Sequence, residues 1–502
     1  MSRPLRIGFI HPDLGIGGAE RLVVDAALSL KNKGHHVTIF TSRHDPSRCF
    51  PETIDGTLPV HVLGSSLPRS FHPKFPLTIL FSILRSLLLA VLLLTSLLLP
   101  GPPSIVNPLS PLQGFDIFFV DQQSVAVPLL RFVSGTRVVF YCHFPDKLLS
   151  GGWEIDVGKD MAVVERKGVG ILKHMYRWPI DKLEEYTTGQ SDIIISNSEF
   201  SSRVFALAFP SLAEQPRRVV YPCIDVSSYT STSSNAKDES VKLIQSDRPT
   251  IISFNRFEAK KNVDLAIRTF AKLRDDDLIP KEEFEKLRFV VGGGYDPDQR
   301  DNVQTLLHLQ NLCTNLFLSH HTIPSSSPVP PNTQIIFLLN FSSAQRAHLL
   351  TSPSTLALLY TPTNEHFGIV PIEAGACGLP VLACDTGGPV ETIVDFSIPS
   401  NAENGTGLLR PPRAEEWAPA LTTLLHLSSS QRSLISQSGQ TRIAENFSLA
   451  TMGTQLEKAC RDALAMGDLH VQVGDKLIWG GLGLMGFAAG GLGIIWMVWG
   501  FE

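Results

Sequence analysis

Two apolar runs of strand length, Thr355 to Tyr360 and Pro380 to Cys384, bracket the stretch Thr-Pro-Thr-Asn-Glu-His-Phe-Gly-Ile-Val-Pro-Ile-Glu-Ala-Gly-Ala-Cys-Gly-Leu. Pro371 suits the first turn of a helix, where its missing N–H costs nothing. The pattern therefore predicts strand, loop, helix and a second, parallel strand. Glu365 falls in the loop just past a strand's carboxyl end, where open α/β sheets bind ligands, and Glu373 lies on the helix that follows. One carboxylate can face a sugar while the other reaches a second hydroxyl-rich group. The N–H groups of Phe367, Gly368 and Ile369 lie at the helix start, unpaired, and favour a phosphate anion.

The rest of the chain repeats this alternation. Leu5 to Ile10, His36 to Thr41, Val60 to Leu63, Phe115 to Val120, Arg137 to Tyr141 and Asp192 to Ser196 read as buried strands separated by helix-length stretches. Ser227 to Asp247 is polar and reads as a linker. A second series follows at Thr250 to Phe254, Phe289 to Val291 and Gln334 to Leu339, with His320 to Thr333 as a surface insertion. The expected fold class is α/β: two Rossmann-like doubly wound domains facing a cleft, with membrane-associated hydrophobic segments. The expected organisation is a domain over 1–226 with a hydrophobic insert at 77–99, a linker over 227–248, and a domain over 249–435. Helices over 436–470 then return to the first domain, and a membrane anchor occupies 477–501.

A chain of 502 residues suffices for two domains of ordinary size, and a net charge of −5 without a long basic run argues against a nucleic-acid partner. Seven scattered cysteines without Cys-x-x-Cys pairing suggest reduced thiols in a cytosolic compartment rather than zinc ligands or a disulfide framework. The start of the chain lacks a signal-peptide layout. Leu77 to Leu99 carries a single charge, Arg85, and Leu477 to Phe501 carries none, so each is long enough for a hydrocarbon core of about 20 residues. The first lies between strands of one sheet, so a single crossing is excluded. It re-enters, lies in the interface or is a buried helix, and with Arg69, Lys74 and Arg85 nearby the favoured reading is a membrane-embedded docking element.

After the first strand, Gly17-Gly18-Ala-Glu20-Arg21 invites a dinucleotide fingerprint and fails it, because Glu20 replaces the third glycine and the next strand ends without an acid. Gly17 and Gly18 instead permit close backbone approach to a ligand. Arg256 and Lys261 follow the first strand of the second series, on the same edge as Glu365, where a leaving nucleoside diphosphate needs positive charge. Lys261 and Glu373 are both expected on a solvent-facing cleft edge. His143, in Tyr-Cys-His-Phe-Pro-Asp, ends a strand of the first series.

The Glu-x7-Glu pair, the Gly-Gly-Ala-Glu-Arg opening and the Arg-Phe-x-x-Lys-Lys-Asn order resemble retaining glycosyltransferases of the two-Rossmann-domain GT-B type, family 4 in kind. Tyr-Cys-His-Phe-Pro-Asp and the Gly-Gly-Gly-Tyr-Asp turn at 292–296 are closest in form to the dolichol-pathway α-1,3/1,6-mannosyltransferases. The resemblance covers nearly all of the chain outside its apolar segments. It implies GDP-mannose as donor and a dolichyl-diphosphate oligosaccharide as acceptor. It also implies the endoplasmic reticulum membrane with catalytic domains facing the cytosol, and other enzymes of the same pathway as candidate partners. It places His143 against the transferred sugar, Glu365 on the sugar's hydroxyls, Glu373 on the ribose, and Arg256 and Lys261 on the diphosphate. Gly17 and Gly18 fall near the phosphates or the acceptor.

Asp296-Pro-Asp298 spells Asp-x-Asp but lies away from the diphosphate residues, so no metal and no cofactor are expected. Two rivals stay open: a lipid-acceptor transferase with another donor, such as UDP-N-acetylglucosamine onto phosphatidylinositol, and a non-catalytic membrane scaffold. Glycosylation acceptor sequences begin at Asn340, Asn404 and Asn446, and a cytosolic location leaves all three bare.

Overall fold

The computed structural model describes residues 3–70, 78–99, 102–104, 108–109, 112–149, 153–156, 162–165, 171–230, 238–324 and 328–467. The chain forms two compact units, Met1–Cys223 with Leu449–Glu502, and Ile224–Ser448. The expected anchor over 477–501 lies outside the described residues.

In the first unit seven strands run parallel in the spatial order Val60–Val62, His36–Thr41, Arg6–His11, Ile117–Asp121, Arg137–Cys142, Ile193–Ser196, Arg217–Val219. Ile117–Asp121 and Arg137–Cys142 are buried at every residue, as unbroken apolar runs with helices on both faces require. Strand order reverses between Arg6–His11 and Ile117–Asp121, the crevice-forming position of such sheets.

The crossover to Ile117–Asp121 carries the apolar helix Thr78–Leu98, one face of which is buried on the protein itself. Leu87, Ala90, Leu93 and Leu94 pack with Phe118, Val120, Leu129 and Val138 in the core on one face of the sheet. A helix covering a sheet needs a wide apolar stripe, and a leucine-rich sequence supplies it as readily as it supplies a lipid-facing surface. The ends keep exposed leucines, Leu80 at the start and Leu98 and Leu99 at the close.

The second unit has seven parallel strands in the order His320–Ile323, Ile335–Leu339, Arg288–Gly293, Thr250–Phe254, Thr355–Tyr360, Val381–Cys384, Gly407–Arg410. Its order reverses between Thr250–Phe254 and Thr355–Tyr360. The surface insertion expected from His320 thus opens with an edge strand, whose three consecutive polar residues, His320, His321 and Thr322, disguise it. The expected linker is also structured at both ends. Val241 and Ile244 are fully buried, and Tyr229 packs beside the core of the second unit, so these flanks belong to that unit.

The return to the first unit begins at Leu449 rather than at 436. Helix Ser429–Asn446 stays on the second unit because its Ile443 packs over Gly375 of helix Ile369–Ala376. Helix Leu449–Leu464 then lies on Gly18–Asn32, with Gly453 close to the Ser29 carbonyl. Met452 and Leu456 are essentially inaccessible, and burying side chains of this size stabilises by about 1.5–3 kcal/mol each.

Candidate functional site

In the second unit, Lys261 and Glu365 follow the two strands that flank the reversal. The turn after Thr250–Phe254 is fixed where the Asn255 carbonyl lies against Gly293 too closely for any β-carbon there. The chain then makes one tight helical turn over Ala259–Lys261. The Thr361 hydroxyl donates to the Lys261 carbonyl at 2.7 Å, tying this turn to the neighbouring strand end. Lys261 Nζ lies 2.5 Å from Glu365 Oε2, with side chains 18% and 22% exposed. Burial alone would raise the Glu365 carboxyl's pKa, but the ammonium outweighs it and holds the group below its ordinary value. Arg256 is largely exposed and only loosely paired, 3.8 Å from Glu258.

The loop carrying Glu365 is braced by the turn after Val381–Cys384. Gly388 N–H donates to the Glu365 carbonyl at 2.7 Å, and Asn364 N–H to Thr386 Oγ1 at 3.1 Å. A β-carbon at Gly387, whose φ is +75°, would sit 2.5 Å from the Glu365 carbonyl, and one at Gly388 would overlap Phe367. Only glycine fits this approach. The Phe367 ring is buried against Phe447, and helix Ile369–Ala376 starts after Gly368 with no side-chain cap, which leaves its dipole open to an anion.

Glu373 departs from expectation. It is 3% exposed, accepts a hydrogen bond from the Tyr229 hydroxyl at 3.0 Å and pairs with Arg346 of helix Ser343–Thr351. A carboxylate this deep needs a counter-charge, and Arg346 provides it. The acid is therefore buried rather than on a solvent-facing edge.

In the first unit His143 is joined to two residues that the sequence reading overlooked. Its Nε2 is 2.8 Å from Asp121 Oδ1, while His11 Nδ1 is 2.8 Å from Asp121 Oδ2. The three residues end or follow Arg137–Cys142, Ile117–Asp121 and Arg6–His11, adjacent strands on both sides of the reversal. Burial opposes ionisation of Asp121, yet the two imidazoles hold its pKa below the ordinary value. Burial would likewise lower the His143 pKa, but Asp121, then Glu20 and Asp146, raise it overall. With Nε2–H given to Asp121, Nδ1 is the ring nitrogen left for a ligand. Gly18 faces open space, whereas a side chain at Gly17 would meet the Glu20 carboxylate.

Asp296 Oδ1 accepts the Asp298 N–H at 2.9 Å, closing a turn. Among the described residues no group of three or more His, Cys, Asp or Glu is placed to share a metal ion.

The model of the family Glycosyl transferases group 1 matches residues 234–441, and that of Glycosyltransferase Family 4 matches residues 16–228. The chain is 41% identical over 460 residues to the alpha-1,3/1,6-mannosyltransferase ALG2 of Rhizomucor pusillus, covering 91% of each chain. It is 38% identical over 506 residues to that of Neurospora crassa, covering 98% of each. The chain belongs to this mannosyltransferase family. It is a glycosyltransferase, and its fold is GT-B. Sucrose-phosphate synthase from Thermosynechococcus elongatus superposes with a TM-score of 0.63 at 16% identity, covering 92% of this chain and 100% of that one. HepE from Anabaena with UDP and glucose gives a TM-score of 0.59 at 15% identity, covering 91% and 100%. At such identities these two show the fold alone.

For this family member, the second unit brings together Lys261, Glu365 and the helix start after Gly368, and the first unit brings His143 to Asp121 and His11. Asp121 carried a readable signal, an acid closing the apolar run Ile-Phe-Phe-Val beside the strand that His143 follows. Arg346 and Tyr229 carried none, since each reaches Glu373 from a segment remote in sequence.

Proposed function

We propose that the chain transfers mannose from GDP-mannose to a dolichyl-diphosphate chitobiose carrying one mannose, with retention, forming an α-1,3 and then an α-1,6 link. The names of the similar mannosyltransferases support the chemistry. The observation that carries the reading is the Lys261–Glu365 pair at the strand-order reversal. A donor diphosphate competes for the ammonium, and the released carboxylate then meets the hydroxyls of the sugar. Arg256 and the start of helix Ile369–Ala376 add positive charge on the same edge, so the leaving diphosphate is stabilised without a metal. The leaving phosphate oxygen takes the proton of the acceptor hydroxyl on the same face of the sugar. His143, held by Asp121, hydrogen-bonds the transferred sugar, and Gly17 with Gly18 lets the backbone approach the phosphates or the acceptor. Glu373 holds Arg346 and Tyr229 beside the donor site, and its contact with the ribose requires that pair to give way.

The setting is the endoplasmic reticulum membrane, with both units in the cytosol, an apolar anchor over 477–501 and enzymes of the same pathway as neighbours. Asn340, Asn404 and Asn446 are then unglycosylated. A glycosidase-sensitive mobility shift mapped to any of them would overturn this sidedness.

The decisive experiment incubates the purified full chain with radiolabelled GDP-mannose or UDP-N-acetylglucosamine and a short-chain diphosphate-linked acceptor, with and without EDTA. Transfer from GDP-mannose alone, undiminished by EDTA, is expected. Transfer from the other donor would replace the donor assignment, loss in EDTA restored by magnesium would end the metal-free reading, and no transfer at all would favour a scaffold.

A further inference from the structure

Helix Thr78–Leu98 carries one charged residue, Arg85, which is 6% exposed. Within the helix Ser82, Ser86, Thr95 and Ser96 are satisfied. Ser86 Oγ donates to Gln123 Oε1 at 2.7 Å, Gln123 Nε2 donates to Ser82 Oγ at 2.7 Å, and the hydroxyls of Thr95 and Ser96 bond the Leu92 carbonyl. Arg85 differs. Among the described residues it makes no hydrogen bond or ion pair, and its Nε is buried without a partner. A guanidinium withdrawn from water and left unpaired is costly, and its persistence points to an anion.

The charged groups around it come from three loops at the carboxyl edge of the sheet. Asp13 follows Arg6–His11, Arg43 follows His36–Thr41, and Arg69 lies beyond Val60–Val62. Arg69 Nη2 is 3.2 Å and Arg43 Nη1 3.7 Å from the same oxygen, Asp13 Oδ2. Arg43 and Arg69 thus share one carboxylate, Arg85 lies within electrostatic reach of all three groups, and even with Asp45 near Arg43 the cluster keeps a net positive charge. Gly64, at φ +78°, packs closely on the helix here, since a β-carbon would sit 2.9 Å from the Arg85 carbonyl oxygen.

We propose that Arg43, Arg69 and Arg85 form the site for the diphosphate of the lipid-linked acceptor. The assignment rests on the transfer reaction proposed above. Planar guanidinium forks match phosphate oxygens in pairs, and a diphosphate supplies the charge that Asp13 alone does not. The same helix offers apolar surface to the attached isoprenoid, with Leu80 exposed and Ile79 and Ile83 half-buried. This separates the two phosphate-binding tasks, the donor's on the second unit and the acceptor's on the first.

The test uses the full chain and two variants, Arg85→Met and the surface variant Arg69→Gln, the latter protecting against a folding defect in the former. In saturating GDP, inorganic pyrophosphate should raise the thermal midpoint of the wild type and raise that of Arg85→Met far less. Without pyrophosphate the Arg85→Met midpoint should equal or exceed the wild type's, since an unpaired buried charge is removed. In transfer assays with a short-chain diphosphate-linked acceptor, both variants should raise the acceptor KM, by about 10- to 100-fold for Arg85→Met, with the KM for GDP-mannose unchanged. Unchanged acceptor KM in both variants would overturn the proposal, as would an equal rise in the donor KM. Weaker flotation of Arg85→Met with phosphatidylinositol vesicles, alongside an unchanged acceptor KM, would assign the arginines to a membrane headgroup and also overturn it. A wild type inactive on every lipid acceptor would sink the transfer reading, whereas the pyrophosphate shift still decides whether the arginines hold a diphosphate.

Discussion

At its strand-order reversal the first sheet buries a carboxylate between two imidazoles, whereas at the same place the second leaves a cation and an acid part-exposed and paired with each other. His11, Asp121 and His143 share one buried carboxylate between two imidazoles. Lys261 and Glu365 stay about one-fifth exposed. The buried network fixes a ring and its tautomer before any ligand arrives, and so behaves as a positioning device. The surface pair is one that an incoming anion can open, and so behaves as a binding device. Glu373 with Arg346 belongs to the second unit by position but to the first kind by burial. The same place in a doubly wound sheet therefore serves different ends, according to whether its charges can exchange partners with water and ligand.

The largest effect should come from opening the surface pair by mutation. Lys261→Ala and Glu365→Ala should each lower kcat/KM by about 10²- to 10³-fold, while the thermal midpoint falls less than in Glu373→Ala, because water still reaches both side chains. Near-normal mannosyl transfer in either variant would remove these residues from the reaction. Glu373→Ala should weaken donor binding and in addition destabilise the fold by about 3 kcal/mol, as Arg346 loses its counter-charge. Urea midpoints would show it, and Glu373→Leu combined with Arg346→Met should recover most of the loss.

Asp121→Asn addresses the buried network through pH. The raised His143 pKa means that its stabilising contribution is complete below the ordinary imidazole value and is lost as pH rises through the elevated one. The lowered Asp121 pKa gives a contribution present above the ordinary carboxylate value and lost as pH falls through the depressed one. Thermal midpoints of the wild type should therefore fall toward both extremes. In Asp121→Asn the alkaline limb should flatten, and kcat should drop about 10-fold. An unchanged alkaline limb would mean that Asp121 does not hold the ring. The smallest effect is expected from Arg256→Gln, which should raise the donor KM by about 10-fold or less with stability unchanged, because Arg256 is exposed and its pairing with Glu258 is loose, at 3.8 Å.

The second unit was the more legible in sequence, because its chemistry is local. Glu365 and the helix start after Gly368 occupy one strand-loop-helix segment, and Lys261 follows a strand read with its observed ends, Thr250–Phe254. Short edge strands escaped notice at Arg217–Val219 and Gly407–Arg410, where few residues leave little periodicity to read. The apolar helix was read only in part, for a different reason: hydrophobicity measures a preference to leave water and does not name the destination, and one face of this helix is buried on the sheet.

The sequence by itself determined two parallel α/β sheets, the strand ends beside which Lys261, Glu365 and His143 lie, and the family to which the chain belongs. Alternating apolar runs and turn residues encode these locally, and one periodicity admits one kind of element. Tertiary structure alone decided which charges would be neutralised. Asp121 meets His11 and His143, Glu373 meets Arg346 and Tyr229, and Arg85 meets no hydrogen-bonding or ion-pair partner among the described residues. Each outcome depends on groups brought together across distant crossovers, and the energy of a charge is set by burial and by its nearest opposite charge, neither of which is a property of the residues adjoining it in the chain.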